Sequence, residues 1–435
     1  MSSTSVRTSV DACLEQIDRH DAELRAWVYV DREGARRSAD SLDRDAAASR
    51  MRGSLFGLTV AVKDIFDVAG MDTTSGAPPF AHRRPERDAP AVAALRSAGA
   101  VILGKTVTTE FAFADPSVTR NPWNLAHTPG GSSSGSAAAV AAGMAQVALG
   151  SQTIGSTIRP AGYCGVVGFK GTYGRISTEG VTPLSWSLDH VGIFARSVED
   201  AAGVFSILAA EPAAASLSAT MPSESPVPEG SPRRSNPPRF CIPRAWVDSV
   251  ATPGVRTHLD EVAELLRRAG GVVDDVMLPP GGAQIETDGR LVLRVEVAAY
   301  HSRWFSEHAA EYAPKIKELI ESGLLVPAID YIRAHEARYQ FRREMGSIFS
   351  RYDALLLPSA PAPAPPLSEN TTGDPVFCAP WSFAGLPSIA LPSGITPGGL
   401  PLSVQLVGAA AADAELLELA RWCEARLGFS AAPPQ

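Results

Sequence analysis

Short helical segments followed by short apolar strands recur along this chain, and this alternation constrains its fold more than any other feature. It occurs at DAPAVAALRSAG before AVILGK (88–105), at DEVAELLRRAGGVVDDVML (260–278) and at FSRYDALLLPSAP (349–361). Strands that alternate with helices of this length pair most readily in a sheet that is substantially parallel and is covered by helices. The sequence therefore predicts a layered α/β fold.

Two regions differ from this pattern. Over residues 1–50, from about residue 8 onward, charged and apolar residues fall at helical spacing, which predicts N-terminal helices. From 211 to 238 the chain is rich in Ala, Ser and Pro and has little to bury, so we expect a long surface loop or a disordered insertion. This segment either marks a domain boundary or interrupts one domain, and composition leaves both alternatives open.

Charge and cysteine content narrow the class of partner. The net charge is −8 with a pI near 5.6 and no long basic run, so no nucleic-acid partner is expected. The apolar stretch Ala137–Leu149 is shorter than the ~20 residues of a membrane span and predicts a buried helix, with no membrane partner. The polar start MSSTSVRTSV predicts no secretory signal, and cysteines without a CxxC pair favour free thiols in the cytoplasm and no metal. These cysteines are Cys13, Cys164, Cys241, Cys378 and Cys423.

Residues 99–106 read GAVILGKT, which matches the Walker A pattern of phosphate-binding loops. Such a loop needs a flexible glycine-rich turn whose backbone N–H groups point inward. The four residues between the glycines here are Ala, Val, Ile and Leu, which favour a buried strand. We therefore expect a strand and no nucleotide site at this position.

Residues 131–135 read GSSSG, which matches the nucleophile elbow GxSxG with Ser133 at its centre. An elbow needs a strand directly before its serine, whereas the upstream residues RNPWNLAHTPG are rich in turn formers. It also needs a histidine and an acidic partner, and no histidine of the chain is singled out. Ser133 is therefore not expected to be a nucleophile.

Two serine- and glycine-rich segments remain, TPGGSSSGS (128–136) and GSQTIGSTIRP (150–160). By composition alone, each is most simply a flexible surface loop or a helix cap. Longer runs around them are more specific. GGSSSGSAAAVAAG, followed by GSQTIGSTIRPAGYCGVVGFKGTYGRIS, closely resembles the signature region of the amidase signature family.

Two further parts of the chain resemble the same family. VAVKD around Lys63 is similar to the segment of the family's catalytic lysine, and ALLLPSAPAPAP, PWSFAGLPSIALPSG and GLPLSVQLVG resemble its C-terminal motifs. The resemblance covers about residues 55–425, with three separated motifs in the right order. It implies one amidase domain over residues 1–435, an α/β/α fold around a large mixed β-sheet, and no cofactor.

The resemblance also assigns roles to individual residues. Ser156 corresponds to the acylated nucleophile and Lys63 to the terminal base. Ser132 corresponds to the serine that bridges them, and its peptide bond with Gly131 is expected to be cis. The backbone N–H groups expected to form the oxyanion hole are those of Thr153, Ile154, Gly155 and Ser156.

A lysine can act as this base only if it loses its charge. With a pKa near 10.4, a lysine in water is neutral in about one molecule in 2500 at pH 7, but burial can lower that pKa by up to ~3–5 units. Large apolar residues at every second position from Leu58 onward predict a strand with Lys63 on the opposite face. Asp64 would raise the pKa if it were close, and strand alternation directs it away. A neutral Lys63 would accept the proton of Ser156 through Ser132.

Three features bear on the substrate. Where many family members have aspartate and glycine, this chain has Gln152 and Ile154, which could alter the oxyanion hole. The form Gln-Thr-x-Gly-Ser-x-Ile-Arg-Pro is similar to a malonamidase-type branch, whose substrates are small acid amides. Arg159 and Gly131 are the candidate substrate-binding residues, and Arg159 would either grip a substrate carboxylate or bond nearby carbonyls structurally.

The sequence therefore predicts an amidase that cleaves carboxamides through an acyl-Ser156 intermediate, with a small amide substrate that could bear a carboxylate. One alternative is a glutamine-hydrolysing amidotransferase subunit of a tRNA-dependent complex. Another is a carbamate, ester or urea hydrolase of the same family. A homodimer is compatible with the sequence, which does not specify oligomeric order.

Overall fold

The computed structural model describes residues 5–50, 53–210 and 236–434. In these ranges one 11-stranded sheet runs through the molecule in the order β1-β3-β2-β4-β6-β5-β10-β11-β9-β7-β8. Its strands are β1 (Trp27–Val30), β2 (Thr59–Lys63), β3 (Val101–Thr106), β4 (Val147–Gln152), β5 (Val167–Lys170), β6 (His190–Ala195), β7 (Arg239–Ile242), β8 (Val272–Asp275), β9 (Ala354–Pro358), β10 (Ser388–Ile395) and β11 (Pro401–Val407).

Helices precede or follow most of these strands. In chain order they are α1 (Val6–Leu24), α2 (Arg32–Ala47), α3 (Pro90–Ser97), α4 (Ser134–Ala141), α5 (Ile158–Cys164), α6 (Val198–Leu208), α7 (Arg244–Val250), α8 (Pro253–Arg268), α9 (Ile285–His308), α10 (Pro314–Gly323), α11 (Ala328–Phe349), α12 (Ala379–Phe383) and α13 (Asp413–Leu427). The predicted helix-then-strand units are confirmed as α3–β3, α8–β8 and α11–β9.

The sheet is mixed and has a core on each face. β2 pairs in parallel with β3 and β4, whereas β6 pairs antiparallel with β4 and β5. In β2, Val60 and Val62 pack into one hydrophobic cluster and Ala61 into another. Because successive side chains of a strand point to opposite faces, apolar groups cover both sides of the sheet here. The predicted α/β/α layering is confirmed.

Residues 1–50, where N-terminal helices are predicted, contain α1 and α2, but a strand that was not predicted lies between them. Trp27–Val30 forms β1, which pairs antiparallel with β3 at one edge of the sheet. Aromatic and β-branched residues fit a strand well, and the pairing partner, about 75 residues downstream, is invisible to local helical spacing. The predicted insertion from 211 to 238 lies outside the described residues as far as residue 235.

The buried helix predicted for Ala137–Leu149 is also wrong in its second half. Helix α4 ends at Ala141, where Gly143 adopts a positive φ of 70°. The Met144 N–H then donates to the Ala139 carbonyl, as at many helix ends closed by a left-handed glycine. The chain re-enters the sheet as β4, so the second serine- and glycine-rich segment (150–160) begins within a strand.

Candidate active site

Lys63 is the last residue of β2, and its side chain is completely buried. Its Nζ donates to Ser132 Oγ at 2.7 Å and to Ser151 Oγ at 2.8 Å. Ser132 lies just before α4, and Ser151 lies in β4, the parallel neighbour of β2. The end of β2 therefore brings one amine and two hydroxyls into contact.

The electrostatic surroundings of Lys63 favour its neutral form. Loss of solvent on burial lowers the pKa of Lys63 to about 7, while the negative charge of Asp189 opposes that shift. Asp64 faces away, as expected, because its Oδ1 lies 2.7 Å from the ammonium nitrogen of Lys105. A substantial fraction of Lys63 is thus uncharged near neutral pH.

The segment that presents Ser132 is tightly fixed. The Gly131–Ser132 peptide bond is cis, as expected, and the Ser132 carbonyl accepts from the Thr109 N–H at 3.2 Å. A Cβ at position 131 would lie 2.8 Å from a methyl of Thr372 and 3.2 Å from the methyl of Thr109. A side chain at this position would therefore have to displace at least one of the two threonines, which favours glycine here.

Residues 153–157 join β4 to α5 and include Ser156, which has a relative exposure of 9%. None of the four backbone N–H groups from Thr153 to Ser156 donates to a described residue. The Ser156 hydroxyl also lacks a hydrogen bond within the described ranges, so the second predicted link, to Ser132, is not formed as a hydrogen bond. Catalytic hydrogen bonds of this kind often tighten only when substrate binds.

The two unusual residues of this segment are well accommodated. Gln152 Oε1 accepts from the N–H groups of Thr157 and Ile158 at 2.8 and 2.9 Å, at the start of α5. The side chain of Ile154 packs against the larger hydrophobic cluster. The amide at 152 therefore satisfies N–H groups at a helix start, where an acceptor is required.

Asp189 hydrogen-bonds to the segment 153–156 through the side chain of Thr153. Its Oδ1 accepts from Thr153 Oγ1 at 2.5 Å, and its Oδ2 accepts from the N–H groups of Leu184 and Ser185 at 2.8 and 3.0 Å. Burial raises the pKa of Asp189 to about 6, against the effect of these hydrogen bonds.

Arg159 is buried, with its guanidinium directed at the turn before Ser132. Nη2 donates to the Gly131 carbonyl at 2.6 Å and to Thr372 Oγ1 at 3.1 Å, and Nη1 donates to the Gly373 carbonyl at 2.9 Å. Nε is buried and has no hydrogen-bond partner among the described residues. The structure thus shows the bonds to carbonyls that the structural interpretation requires, and one unpaired donor beside them.

The structure gives ordinary structural roles to the two motif matches set aside in the sequence, GAVILGKT (99–106) and GSSSG (131–135). Residues of the Walker-like run form β3, which is buried along its whole length, as expected. Ser133 is fully buried, and its hydroxyl donates to the carbonyl of Ser151 and accepts from the Ser151 N–H. It therefore ties the start of α4 to β4.

Neither Ser151 nor Asp189 is predicted from the sequence to belong to the site, because their contacts depend on distant pairing. The helix predicted through Leu149 concealed β4, and only the pairing of β4 with β2 brings Ser151 to Lys63. Asp189 lies 36 residues from Thr153, and nothing in its local sequence marks it.

Over the described ranges, no cluster of three or more His, Cys, Asp and Glu side chains could hold a metal ion. In those ranges no helix combines the length and apolarity needed to cross a bilayer.

Nearly the whole chain matches one family model and proteins similar in sequence. A family model described as "Amidase" matches residues 8–417. A glutamyl-tRNA(Gln) amidotransferase subunit from Anaeromyxobacter sp. (strain K) is 35% identical, with 98% of this chain and 94% of that protein covered. The putative amidase AmiD of Mycobacterium tuberculosis (strain CDC 1551 / Oshkosh) is also 35% identical, over 92% of this chain and 86% of that protein.

A solved structure agrees with these similarities. The native peptide amidase from Stenotrophomonas maltophilia superposes with a TM-score of 0.84 at 31% identity, covering 99% of this chain and 95% of that one. Similarity in sequence and in fold therefore extends over the same nearly complete length. The chain belongs to the amidase signature family, and it is an amide hydrolase.

Proposed function

We propose that this chain hydrolyses carboxamides through an ester formed on Ser156, with Lys63 as the base and Ser132 as the proton carrier. The observation that supports this most directly is the buried Lys63 amine, whose pKa is lowered to about 7 and which lies 2.7 Å from Ser132 Oγ. A serine hydroxyl becomes a good nucleophile only when a nearby base takes its proton.

In the proposed reaction, Ser156 Oγ attacks the amide carbon while its proton passes to Ser132 and the Ser132 proton passes to Lys63. The carbonyl oxygen becomes an oxyanion held by N–H groups of residues 153–156, which donate to no described residue. The C–N bond then breaks, Ser132 protonates the departing amine, and Lys63 returns a proton to Ser132. Water then attacks the acyl-Ser156 ester while its proton passes through Ser132 to Lys63. The ester C–O bond breaks, the proton returns through Ser132 to Ser156 Oγ, and the acid leaves as the carboxylate.

Arg159 supports a substrate that is a small amide bearing a carboxylate. Its guanidinium is buried, yet no Asp or Glu in the described ranges lies within 4.0 Å of it. Two carbonyls and one hydroxyl accept from the guanidinium, and the charge of Asp374 acts on it from beyond that distance, so a bound carboxylate would supply the close countercharge that the described residues lack. Its contact with the Gly131 carbonyl places this charge next to the turn that carries Ser132. A small acid monoamide is therefore our preferred substrate class, ahead of aryl amides, carbamates, ureas and esters.

A second candidate is the glutamine-hydrolysing subunit of a tRNA-dependent amidotransferase. Its support is the 35% identity with the Anaeromyxobacter amidotransferase protein over 98% of this chain. The two candidates use the same acyl-enzyme chemistry and differ in whether the isolated chain is active. The cytoplasmic location and a possible homodimer stay predictions of the sequence.

The test is a panel of acid monoamides, neutral amides, an aryl amide, a carbamate and an ester, assayed with the isolated chain. We expect turnover of an acid monoamide and labelling of Ser156 by a fluorophosphonate, both lost in Ser156→Ala. Labelling that survives Ser156→Ala would contradict the assigned nucleophile. Activity only with partner subunits and glutamine would favour the amidotransferase.

Arg159→Ala, with Arg159→Lys as the charge-preserving control, tests the preferred substrate class on the same panel. A carboxylate site predicts a selective loss on carboxylate-bearing amides, because only those substrates lose a charge-assisted bond. An equal loss on all substrates would show that Arg159 acts structurally.

A further inference from the structure

Two buried side chains connect the segment 153–156 to a helix far away in the sequence. Gln152 of β4 and Ser382 of α12 are 230 residues apart, and Gln152 Nε2 donates to Ser382 Oγ at 2.9 Å. Ser382 Oγ in turn donates to the Ile154 carbonyl at 2.6 Å. Both side chains have 0% exposure. Two hydrogen bonds thus lead from position 152, through α12, to position 154.

The orientation of the Gln152 amide follows from its other partners. Its Oε1 lies 2.8 Å and 2.9 Å from the backbone nitrogens of Thr157 and Ile158. Backbone N–H groups can only donate, so the amide oxygen must face them and the NH₂ group must face Ser382.

This orientation determines where the Ser382 proton goes. Because Gln152 donates to Ser382, the single hydroxyl proton of Ser382 is free for the Ile154 carbonyl, which is closer than the alternative Cys378 carbonyl at 3.1 Å. A carboxylate at position 152 has no proton to donate and would attract the Ser382 proton to itself. Because residue 152 carries an amide, the Ser382 hydroxyl proton stays available for the Ile154 carbonyl.

The Ile154 carbonyl shares a planar peptide group with the Gly155 N–H, and in a trans peptide the two point in opposite directions. A hydrogen bond that fixes the carbonyl therefore fixes the direction of the N–H as well. The segment is also closely packed at Gly155, since a Cβ there would lie 2.7 Å from Pro375 Cβ and 3.2 Å from Cys378 Cβ.

We propose that Gln152 and Ser382 are positioning residues that aim the Gly155 N–H at the oxyanion formed during attack by Ser156. This inference rests on the proposed function, because an oxyanion forms there only if Ser156 is the nucleophile. Neither side chain touches the reacting atoms, and both act through the Ile154–Gly155 peptide group.

The test compares Gln152→Glu and Ser382→Ala with the wild type. Gln152→Glu keeps an oxygen for the start of α5 but withdraws the donor to Ser382. Since a misplaced oxyanion donor costs on the order of 10²-fold, we expect kcat and the rate of fluorophosphonate labelling at Ser156 to fall by about 10- to 10²-fold, with KM changed by less than about threefold. The double variant should be no slower than Ser382→Ala alone, because both changes break the same chain of hydrogen bonds.

Ser388→Ala is the matched control, since the Ser388 hydroxyl is buried but hydrogen-bonds to no residue that the structure describes. It should label and turn over at close to the wild-type rate. A role confined to stability would lower the melting temperature without separating kcat from KM. Wild-type labelling rates in both Gln152→Glu and Ser382→Ala would overturn the inference. If Ser382→Ala does not fold, the labelling rate of Gln152→Glu alone tests the inference. If the wild type itself is not labelled at Ser156, that result contradicts the proposed function and not this inference.

Discussion

Two lysines on neighbouring strands, both with 0% exposure, have opposite kinds of partner. In the parallel pairing of β2 with β3, Lys63 is opposite Thr106 and Lys105 is opposite Val62, so their side chains leave opposite faces of the sheet. Within the described residues, the Lys63 amine donates hydrogen bonds to the hydroxyls of Ser132 and Ser151. Lys105 instead lies 2.7 Å from a carboxylate oxygen of Asp64 and also donates to neighbouring oxygens.

The difference teaches that burial alone does not make a lysine a base. Desolvation lowers the pKa of both side chains, but at Lys105 the charge of Asp64 directly opposes this shift. At Lys63 the opposing charge is that of Asp189, which lies beyond ion-pair distance of the amine. Hydroxyl partners tolerate a neutral amine and can carry its proton, whereas a carboxylate partner stabilises the ammonium form. One lysine is thus suited to proton transfer and the other to structure.

Replacing Lys63 with methionine should have the largest effect on activity. Loss of a positioned general base lowers rates by about 10²–10⁴-fold, and we expect kcat for amide hydrolysis to fall by that amount. The fold should be kept, because a neutral buried amine contributes little that methionine cannot replace. Turnover and the urea unfolding midpoint measure the two effects. Unchanged turnover would remove Lys63 from the mechanism.

Replacing Lys105 with methionine should give the complementary result. Removing one partner of a buried ion pair leaves Asp64 unpaired, which lowers the free energy of unfolding by about 3–5 kcal/mol. Denaturant titration measures this loss, and the Lys105→Met/Asp64→Asn double variant should recover part of it. If the single variant were as stable as the wild type, the contrast between the two lysines would fail.

The wild-type enzyme should lose activity on acidification. The neutral form of Lys63 is the active one, so kcat/KM should rise with pH through a pKa of about 7 and be roughly tenfold below its plateau one pH unit beneath that value. A pH profile measured on one neutral amide follows this rise in kcat/KM, which we call the acidic limb, without interference from titration of the substrate. A profile flat from pH 5 to 8 would contradict a lysine base with this pKa.

Ser151→Ala should have the smallest effect and should move the same limb. Ser151 Oγ accepts a hydrogen bond from Lys63, and such a bond favours the charged amine, so its loss should lower the pKa of Lys63. We expect the limb to shift to lower pH and kcat at the plateau to change by only a few-fold, roughly the effect of one hydrogen bond. Ser136→Ala, which removes a nearby buried hydroxyl that bonds Thr106 and the Leu149 carbonyl, is the control and should leave the limb in place.

Much of the fold was predictable because its signals are local. The alternation from Leu58 onward places Lys63 at the end of a strand, and the helix-then-strand units appear where apolar spacing indicates them. The errors occurred where distant pairing overrides local spacing. Trp27–Val30 is a strand because β3 is available to it, and Ala137–Leu149 divides because β4 pairs with β2.

By itself, the sequence determined the fold class, the family and the three candidate residues Lys63, Ser132 and Ser156, because each depends on a motif or a periodicity within one short segment. Only the tertiary structure decided that Ser151 joins Lys63 and that Gln152 reaches Ser382, contacts that span 88 and 230 residues. The physical reason is that hydrogen bonds and desolvation depend on which atoms become neighbours in three dimensions, and chain spacing records neighbours only within an element.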